Sequence, residues 1–275
     1  MPSMITTGTV DHHEQKSRVR SHFDQSESWK GKVYLDHSDQ FNRAMVRRKL
    51  YSFAMLNNHL HLKKGKALDV GCGGGEYVAE LMKVGLEAYG VDLSDEMILM
   101  CQRRLNLDGA SFQARFKQGD IEQIPFDDED FDLVLCVGVL GYLLEDSRAV
   151  REVHRVLKPG GCFLVSVQNM MSLANIDYVL RRNVGSLFRS ESRAVDEMSP
   201  RGLTMTCPWI FRHAHVPHHY RLYNPWKFER LLESGGFRRI DARTTGYEFR
   251  LFRRFKLFPE RVLTAMELVC ERLFY

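Results

Sequence analysis

No two of the six cysteines (Cys72, Cys101, Cys136, Cys162, Cys207, Cys270) form a C-x-x-C pair, and their spacing follows no disulfide framework. That argues against a small stapled secreted scaffold and predicts reduced thiols in a reducing, cytoplasmic compartment. The N-terminus, MPSMITTGTVDHHEQ, has no apolar stretch after a basic start, so it does not read as a signal peptide. The longest apolar run, Leu133–Leu144, is twelve residues, too short to span a bilayer. Internal repeats are absent.

Charge of one sign is missing overall but not locally. The net charge is +4 over 275 residues. Residues 1–68 hold 12 basic and 6 acidic side chains, residues 69–146 hold 5 and 17, and residues 147–275 hold 22 and 12. An acidic middle between basic ends is not a nucleic-acid stripe; the ends could favour anionic substrates or a membrane surface, or be ordinary solvated faces.

Alternation begins after a polar tail and a helical, aromatic-rich segment carrying Phe23, Trp29 and Tyr34. KALDVGC reads as a strand, GEYVAELMKVG as a helix ending at Gly85, LEAYGVDLS as a strand, and SDEMILMCQRRL as a helix capped by Ser94. ARFKQGDI is a third strand and FDLVLCVGVL a fourth, nearly all apolar as a strand buried on both faces should be. SRAVREVHRVLKPGG is a helix stopped by Pro-Gly-Gly, and CFLVSVQN a fifth strand. Further on, NPWKFERLLESGGF is a helix and RRIDARTTGYE a sixth strand. This order predicts an α/β fold with a mostly parallel central sheet, helices on both faces, and ligands at the strand C-termini. The expected organisation is a disordered tail (1–15), an N-terminal helical cap (16–62), a binding core (63–168), an inserted lid and acceptor region (169–222), and a closing unit (223–275) of the last core helix, strand or strands and a C-terminal helix.

Leu68–Tyr77, LDVGCGGGEY, breaks a strand into four glycines. Gly71, Gly73 and Gly75, all three candidate cofactor contacts, give G-x-G-x-G, whereas a dinucleotide fingerprint needs G-x-G-x-x-G. Glu76 stands where the third dinucleotide glycine would fall, and a carboxylate there opposes a pyrophosphate at a helix N-terminus. It is tolerable beside a sulfonium or an ammonium. Asp69 can face a ligand's ammonium, directly or through water. Asp92, ending the second strand, can accept both ribose hydroxyls. Asp120, in QGDIEQIPF, can accept from an adenine amino group while the Ile121 N–H meets a ring nitrogen. These features favour S-adenosyl-L-methionine (SAM) over a dinucleotide.

The run Ala67–Val167, with LDVGCGGG, VDLSDEM, GDIEQIPF, FDLVLCVGVLGYL and EVHRVLKPGG in order, resembles the class I SAM-dependent methyltransferases of the small-molecule, methyltransferase-11-like type. The resemblance implies a Rossmann-like fold with a seven-stranded sheet, and a transferase of the EC 2.1.1 type that converts SAM to S-adenosyl-L-homocysteine. It places Gly71, Cys72 and Gly73 at the methionine moiety, Asp92 at the ribose, Asp120 and Ile121 at the adenine with Leu93 and Met97 beside it, and Val137 by the sulfonium. Arg47 or Arg48 could meet the SAM carboxylate. The seventh strand departs from the family: its one candidate, EFRLFRRFKLF, has Arg, Lys or Glu at five of eleven positions.

Methyl transfer needs alignment of donor and acceptor first, and a base only where the acceptor arrives protonated. Ubiquinone-type relatives carry an acid–histidine pair after the fourth strand; here VGVLGYL supplies Gly138, Gly141 and Tyr142. Candidates for a chemical role are Tyr142 and His219, with Tyr220 a possible acceptor contact. The cluster RHAHVPHHY lacks an acid or cysteine partner in regular spacing, so no metal site is expected. Phe23, Trp29 and Tyr34 either close over SAM or staple the N-terminal helices to the sheet. The expected partner is a small-molecule acceptor with O-methylation favoured; nucleic acid is disfavoured, and the basic C-terminal segment allows weak contact with anionic lipid. Alternatives are methylation of RNA or protein, and a SAM-binding partner protein without catalysis.

Overall fold

The computed structural model describes residues 11–25, 40–60, 64–107, 109–170, 198–199, 202–203 and 220–242. Two helices, α1 (His12–Gln25) and α2 (Gln40–His59), precede strand β1 (Lys66–Val70). There follow α3 (Glu76–Lys83), β2 (Glu87–Asp92), α4 (Asp95–Leu105), α5 (Gly109–Arg115), β3 (Phe116–Gln118), β4 (Phe131–Val137), α6 (Asp146–Val156), β5 (Leu157–Ser166) and α7 (Pro225–Ser234). Met198–Ser199 pairs antiparallel with Gly202–Leu203.

The five strands β1–β5 form one parallel sheet in the order β3-β2-β1-β4-β5. Successive residues of each central strand serve opposite faces. Leu68 and Val70 of β1, with Val134 and Cys136 of β4, pack against Ala149, Val153 and Val156 of α6 and Phe228 and Leu231 of α7. Ala67, Leu133 and Leu135 pack the other way, against Tyr77, Val78 and Leu81 of α3, Cys101 of α4, Phe112 of α5 and Leu56 of α2. The α6 stripe Asp146, Ala149, Val150, Val153, Val156 has the spacing of one buried helical face.

Local signals set the helix starts. The Ser94 hydroxyl accepts from Met97 N at 3.2 Å, and Asn224 Oδ1 accepts from Trp226 N and Lys227 N. Because β1 lies between β2 and β4, the crossovers leave it in opposite directions and a crevice opens at its C-terminal end.

Several expectations need correction. The third strand is only Phe116–Gln118: Ala114 and Arg115 end α5, and Asp120 lies beyond the strand in a bridge with Gln123. Helix α6 stops at Val156, ahead of Pro159, and the strand takes over at Leu157 with a register shift between Phe131 and Leu133 of its partner. Helix α1 begins at His12, inside the stretch expected to be a disordered tail, and Gln15 is buried there. Among the described residues the sheet shows five strands. Residues 238–242 of the expected sixth strand are not strand. Its remainder and the seventh-strand candidate lie outside the described residues, as do Trp29, Tyr34, His219 and most of 169–222. Cys72, Cys101, Cys136 and Cys162 are free thiols.

Candidate functional site

A cleft of about 180 Å³ opens at the β1/β4 divergence. Its floor is the glycine turn. Gly71 N and Cys72 N donate to Val91 O of β2 at 2.7 and 3.1 Å, which holds the turn flat against the neighbouring strand. Gly73 N donates to Asp92 Oδ2, and Ser94 N to Asp92 Oδ1, both at 2.9 Å. A Cβ on Gly73 would meet nothing within 4 Å, so the turn presents bare backbone to open space. Gly75 serves packing instead. Its φ is +82°, and a Cβ there would come within 2.7 Å of Cys101 Sγ, so only glycine lets α3 start this close to α4.

The floor is built to receive positive charge. Asp69, 2% exposed, has its carboxyl pushed up to about 8 by burial first, then by the negative charges of Asp92 and Glu76; Arg48 acts against the rise. Burial also raises Asp92, to about 6, against the backbone N–H groups of Ser94 and Gly73 that favour its ionised form. Two carboxyls poised near neutrality in one cleft gain from any cation brought between them.

Glu76 carries less weight than its position suggested. Its carboxylate is paired with Arg104 at 2.5 Å, and Arg104 Nε also donates to Gly74 O at 2.6 Å. The charge that was to repel a pyrophosphate is countered in part by this pair, although its field still reaches Asp69. The case against a dinucleotide therefore rests on the glycine spacing and on the acids at Asp69 and Asp120.

Of the residues expected to touch cofactor, Asp69, Gly71, Cys72, Gly73, Asp92, Leu93, Met97, Asp120, Ile121 and Val137 all line this one cleft, and Gly75 does not. Arg48 lines it and Arg47 does not. The Arg48 guanidinium lies against Gly138, where a Cβ would meet its Nη1 at 2.5 Å. The residues fit the methionyl, ribosyl and adenyl portions of SAM: an open backbone cradle, buried acids and a cation at one rim.

At the far end Asp120 Oδ1 accepts from Glu122 N at 2.9 Å, and Oδ2 is paired with Lys16 of α1 at 2.6 Å. Lys16 is also paired with Glu122. Burial opposes the lysine's charge, but hydrogen bonds and the charges of both acids outweigh it and raise its pKa.

The opposite wall is aromatic. Tyr142 follows β4, and its ring meets Tyr220 edge-on at 4.7 Å and Phe23 of α1 at 5.5 Å. All three line the cleft with Val139 and Leu143. A buried polar clamp holds this wall. Arg221 N donates to Gly141 O at 2.7 Å, the Arg221 guanidinium donates to Asp146 Oδ2 at 2.5 Å and Leu144 O at 2.8 Å, and the Tyr223 hydroxyl donates to Leu140 O at 3.0 Å. A Cβ on Gly141 would lie 2.7 Å from the Tyr220 ring, so glycine is what lets the ring seat on the backbone. Sequence reasoning missed Lys16, Asp146, Arg221 and Tyr223; no local pattern marks side chains whose partners lie 75 or more positions away.

The family model described as "Methyltransferase domain" matches residues 68–165, the span from the glycine turn through β5. Residues 68–165 thus carry a SAM-dependent methyltransferase domain. That domain is 37% identical over 132 residues to phthiotriol/phenolphthiotriol dimycocerosates methyltransferase 1 of Mycobacterium ulcerans, covering 47% of this chain and 46% of that one. It is 35% identical over 135 residues to a fatty-acid O-methyltransferase of Mycolicibacterium smegmatis, covering 48% and 46%. The chain thus spans about half the length of the curated relatives it matches. Among solved structures it shares its fold with PH0226 of Pyrococcus horikoshii, at a TM-score of 0.54 and 22% identity, covering 80% of this chain and 93% of the other. The cofactor of the methyltransferase domain is SAM.

Proposed function

We propose that the chain transfers a methyl group from SAM to an oxygen of a small, largely apolar acceptor. The observation that carries this reading is the continuity of two unlike walls in one cleft: a glycine-and-carboxylate floor, and the aromatic wall of Phe23, Tyr142 and Tyr220. SAM supplies a methyl carbon already activated by its sulfonium. The chain's residues bind and orient. Each Asp92 oxygen accepts one backbone N–H and keeps lone-pair capacity for a ribose hydroxyl. Asp69 takes the ammonium and Arg48 the carboxylate of the methionyl end, Asp120 and Ile121 receive the adenine, and Val137 flanks the sulfonium. The aromatic wall excludes water and fixes the acceptor's approach; holding two reactants in line is worth about 7 kcal/mol or more at best.

No acid–histidine pair stands after β4, where Gly138, Gly141 and Tyr142 are found. That suits an acceptor oxygen which needs little help losing a proton, such as a carboxylate already ionised at neutral pH. A hydroxyl acceptor would be oriented by Tyr142. The names of the two relatives above, one a fatty-acid O-methyltransferase, support an acceptor of lipid character.

The test incubates the protein with methyl-labelled SAM and a panel of long-chain fatty acids, hydroxylated lipids, phenols and total RNA, followed by mass spectrometry. Label in a carboxyl or hydroxyl oxygen of an apolar acceptor is the expected result. Label confined to RNA or to protein, or no transfer by a protein that binds S-adenosylhomocysteine, would overturn the reading.

A further inference from the structure

Helix α1 lies along the cofactor cleft, fastened at both ends. At the adenine end, Lys16 reaches Asp120 and the deeply buried Glu122, whose side chain is 4% exposed. One turn further, Arg20 pairs with Asp95 in the first turn of α4, and the Ser94 hydroxyl donates to Asp24 Oδ1 at 2.6 Å. Toward the acceptor wall, Gln15 Nε2 donates to Tyr142 O at 2.9 Å, and Phe23 packs on the Tyr142 ring. Lys16 and Arg20 of α1 have thus docked on the acidic middle of the chain, and Lys16, Val19 and Phe23 make the helix one wall of the cleft.

Lys16 occupies an oxygen of Asp120, the carboxylate assigned to the adenine amino group. The two acids beneath it are not equivalent. Glu122 is buried and requires its counter-ion at all times, because an unpaired buried carboxylate is costly. Asp120 is partly open, and its second oxygen already has a backbone partner. Adenine can therefore replace the lysine on Asp120 while Lys16 stays on Glu122.

Building on the cofactor reading above, we propose that Lys16 is a cofactor-site residue that guards admission: its pair with Asp120, together with Arg20–Asp95, latches α1 against the cleft, and SAM enters when these pairs open. S-adenosylhomocysteine carries no net charge at neutral pH, so salt barely affects its encounter with the cleft, while salt does weaken the latch. The association rate of S-adenosylhomocysteine, followed by stopped-flow tyrosine and tryptophan fluorescence, is expected to rise about three- to fivefold between 20 and 500 mM NaCl, the change expected for loosening one partly exposed pair.

Lys16→Met is expected to bind faster than the wild type at low salt and to keep only the weaker salt dependence of the Arg20–Asp95 pair. Asp95→Asn, outside the cleft, is expected to show the same effect at smaller amplitude and keeps the test valid if Lys16→Met loses its fold. A wild-type rate that is flat or falls with salt, or an Asp95→Asn rate equal to wild type at low salt, would overturn the latch while leaving the cofactor site intact. Absence of S-adenosylhomocysteine binding by the wild type would overturn the cofactor reading and the latch with it.

Discussion

The floor of the cleft makes cofactor affinity a function of pH, with a sign fixed by Asp69. In the empty cleft burial and the neighbouring carboxylates hold Asp69 at about 8, so below that pH it is mostly protonated. An ammonium seated beside it needs the carboxylate. Binding therefore expels a proton, and affinity falls as pH falls. At pH 6.5, 1.5 units below the titration point, deprotonation costs about 2 kcal/mol. Between pH 8, where the group is half ionised, and pH 6.5, the Kd of S-adenosylhomocysteine should rise about 15-fold. Asp92, at about 6, adds a second loss only below that range. Isothermal titration calorimetry at pH 6.5 in buffers of different ionisation enthalpy should report about one proton released per ligand bound. Asp69→Asn should bind weakly with a flat pH profile. The ligand-free protein should show the complementary trend in stability. A carboxyl raised above its unfolded value stabilises below that value and loses the contribution as pH climbs through about 8, so Asp69→Asn should raise Tm at pH 8.5. A wild-type Kd constant from pH 6.5 to 8 with no buffer dependence would refute the placement of the ammonium at Asp69.

Three further outcomes test the remaining geometry. Asp92→Ala removes the acceptor for Gly73 N and Ser94 N and should weaken S-adenosylhomocysteine binding about 10- to 100-fold, the loss of one or two charge-assisted hydrogen bonds; unchanged affinity in calorimetry would mean that the ribose lies elsewhere. Arg155 ties the connection after β3 to α6 through Ile124 O, Phe126 O, Asp128 and Glu152, so Arg155→Ala should cost about 2 kcal/mol in urea unfolding and also loosen cofactor binding, because that connection begins at Asp120 and Ile121. Gly141→Ala drives a methyl into the Tyr220 ring and should reduce methyl transfer about tenfold or more with S-adenosylhomocysteine affinity within about twofold, which separates the acceptor wall from the cofactor floor.

The sheet could be read from the chain because its central strands are short apolar runs bounded by glycine and acid, and a strand buried on both faces has no other composition open to it. The helix starts at Ser94 and Asn224 were legible for a related reason: a cap is chemistry between residues two or three apart. ARFKQGDI was read too long because Ala114 and Arg115 are good helix formers next to a short strand, and the alternation of four residues cannot divide the two. That Asp69, the glycine turn and Asp92 share one cleft was legible because they follow the ends of β1 and β2, which the alternation placed. The site's other walls were not. Lys16 on Asp120 and Arg221 on Asp146 join positions far apart in sequence, and such pairs leave no trace in local composition. The sequence likewise could not show that Arg104 pairs with Glu76, which changed the weight of one argument while leaving its conclusion standing.

The backbone that leaves the core at residues 168–170 meets the backbone that returns at Tyr223 as a parallel neighbour: Tyr223 N donates to Gln168 O and Met170 N to Tyr223 O, each at 2.9 Å. The two cut ends are thus sewn together before anything between them is considered. Loop closure depends only weakly on length once the ends are fixed, so the chain has a splice point here. All five strands β1–β5 precede this seam in the chain, so a change of length after it leaves their register as it is. The seam opens on the wall formed by Tyr142 and Tyr220. The joined ends therefore insulate the paired strands of the core from changes of length in the segment they bracket.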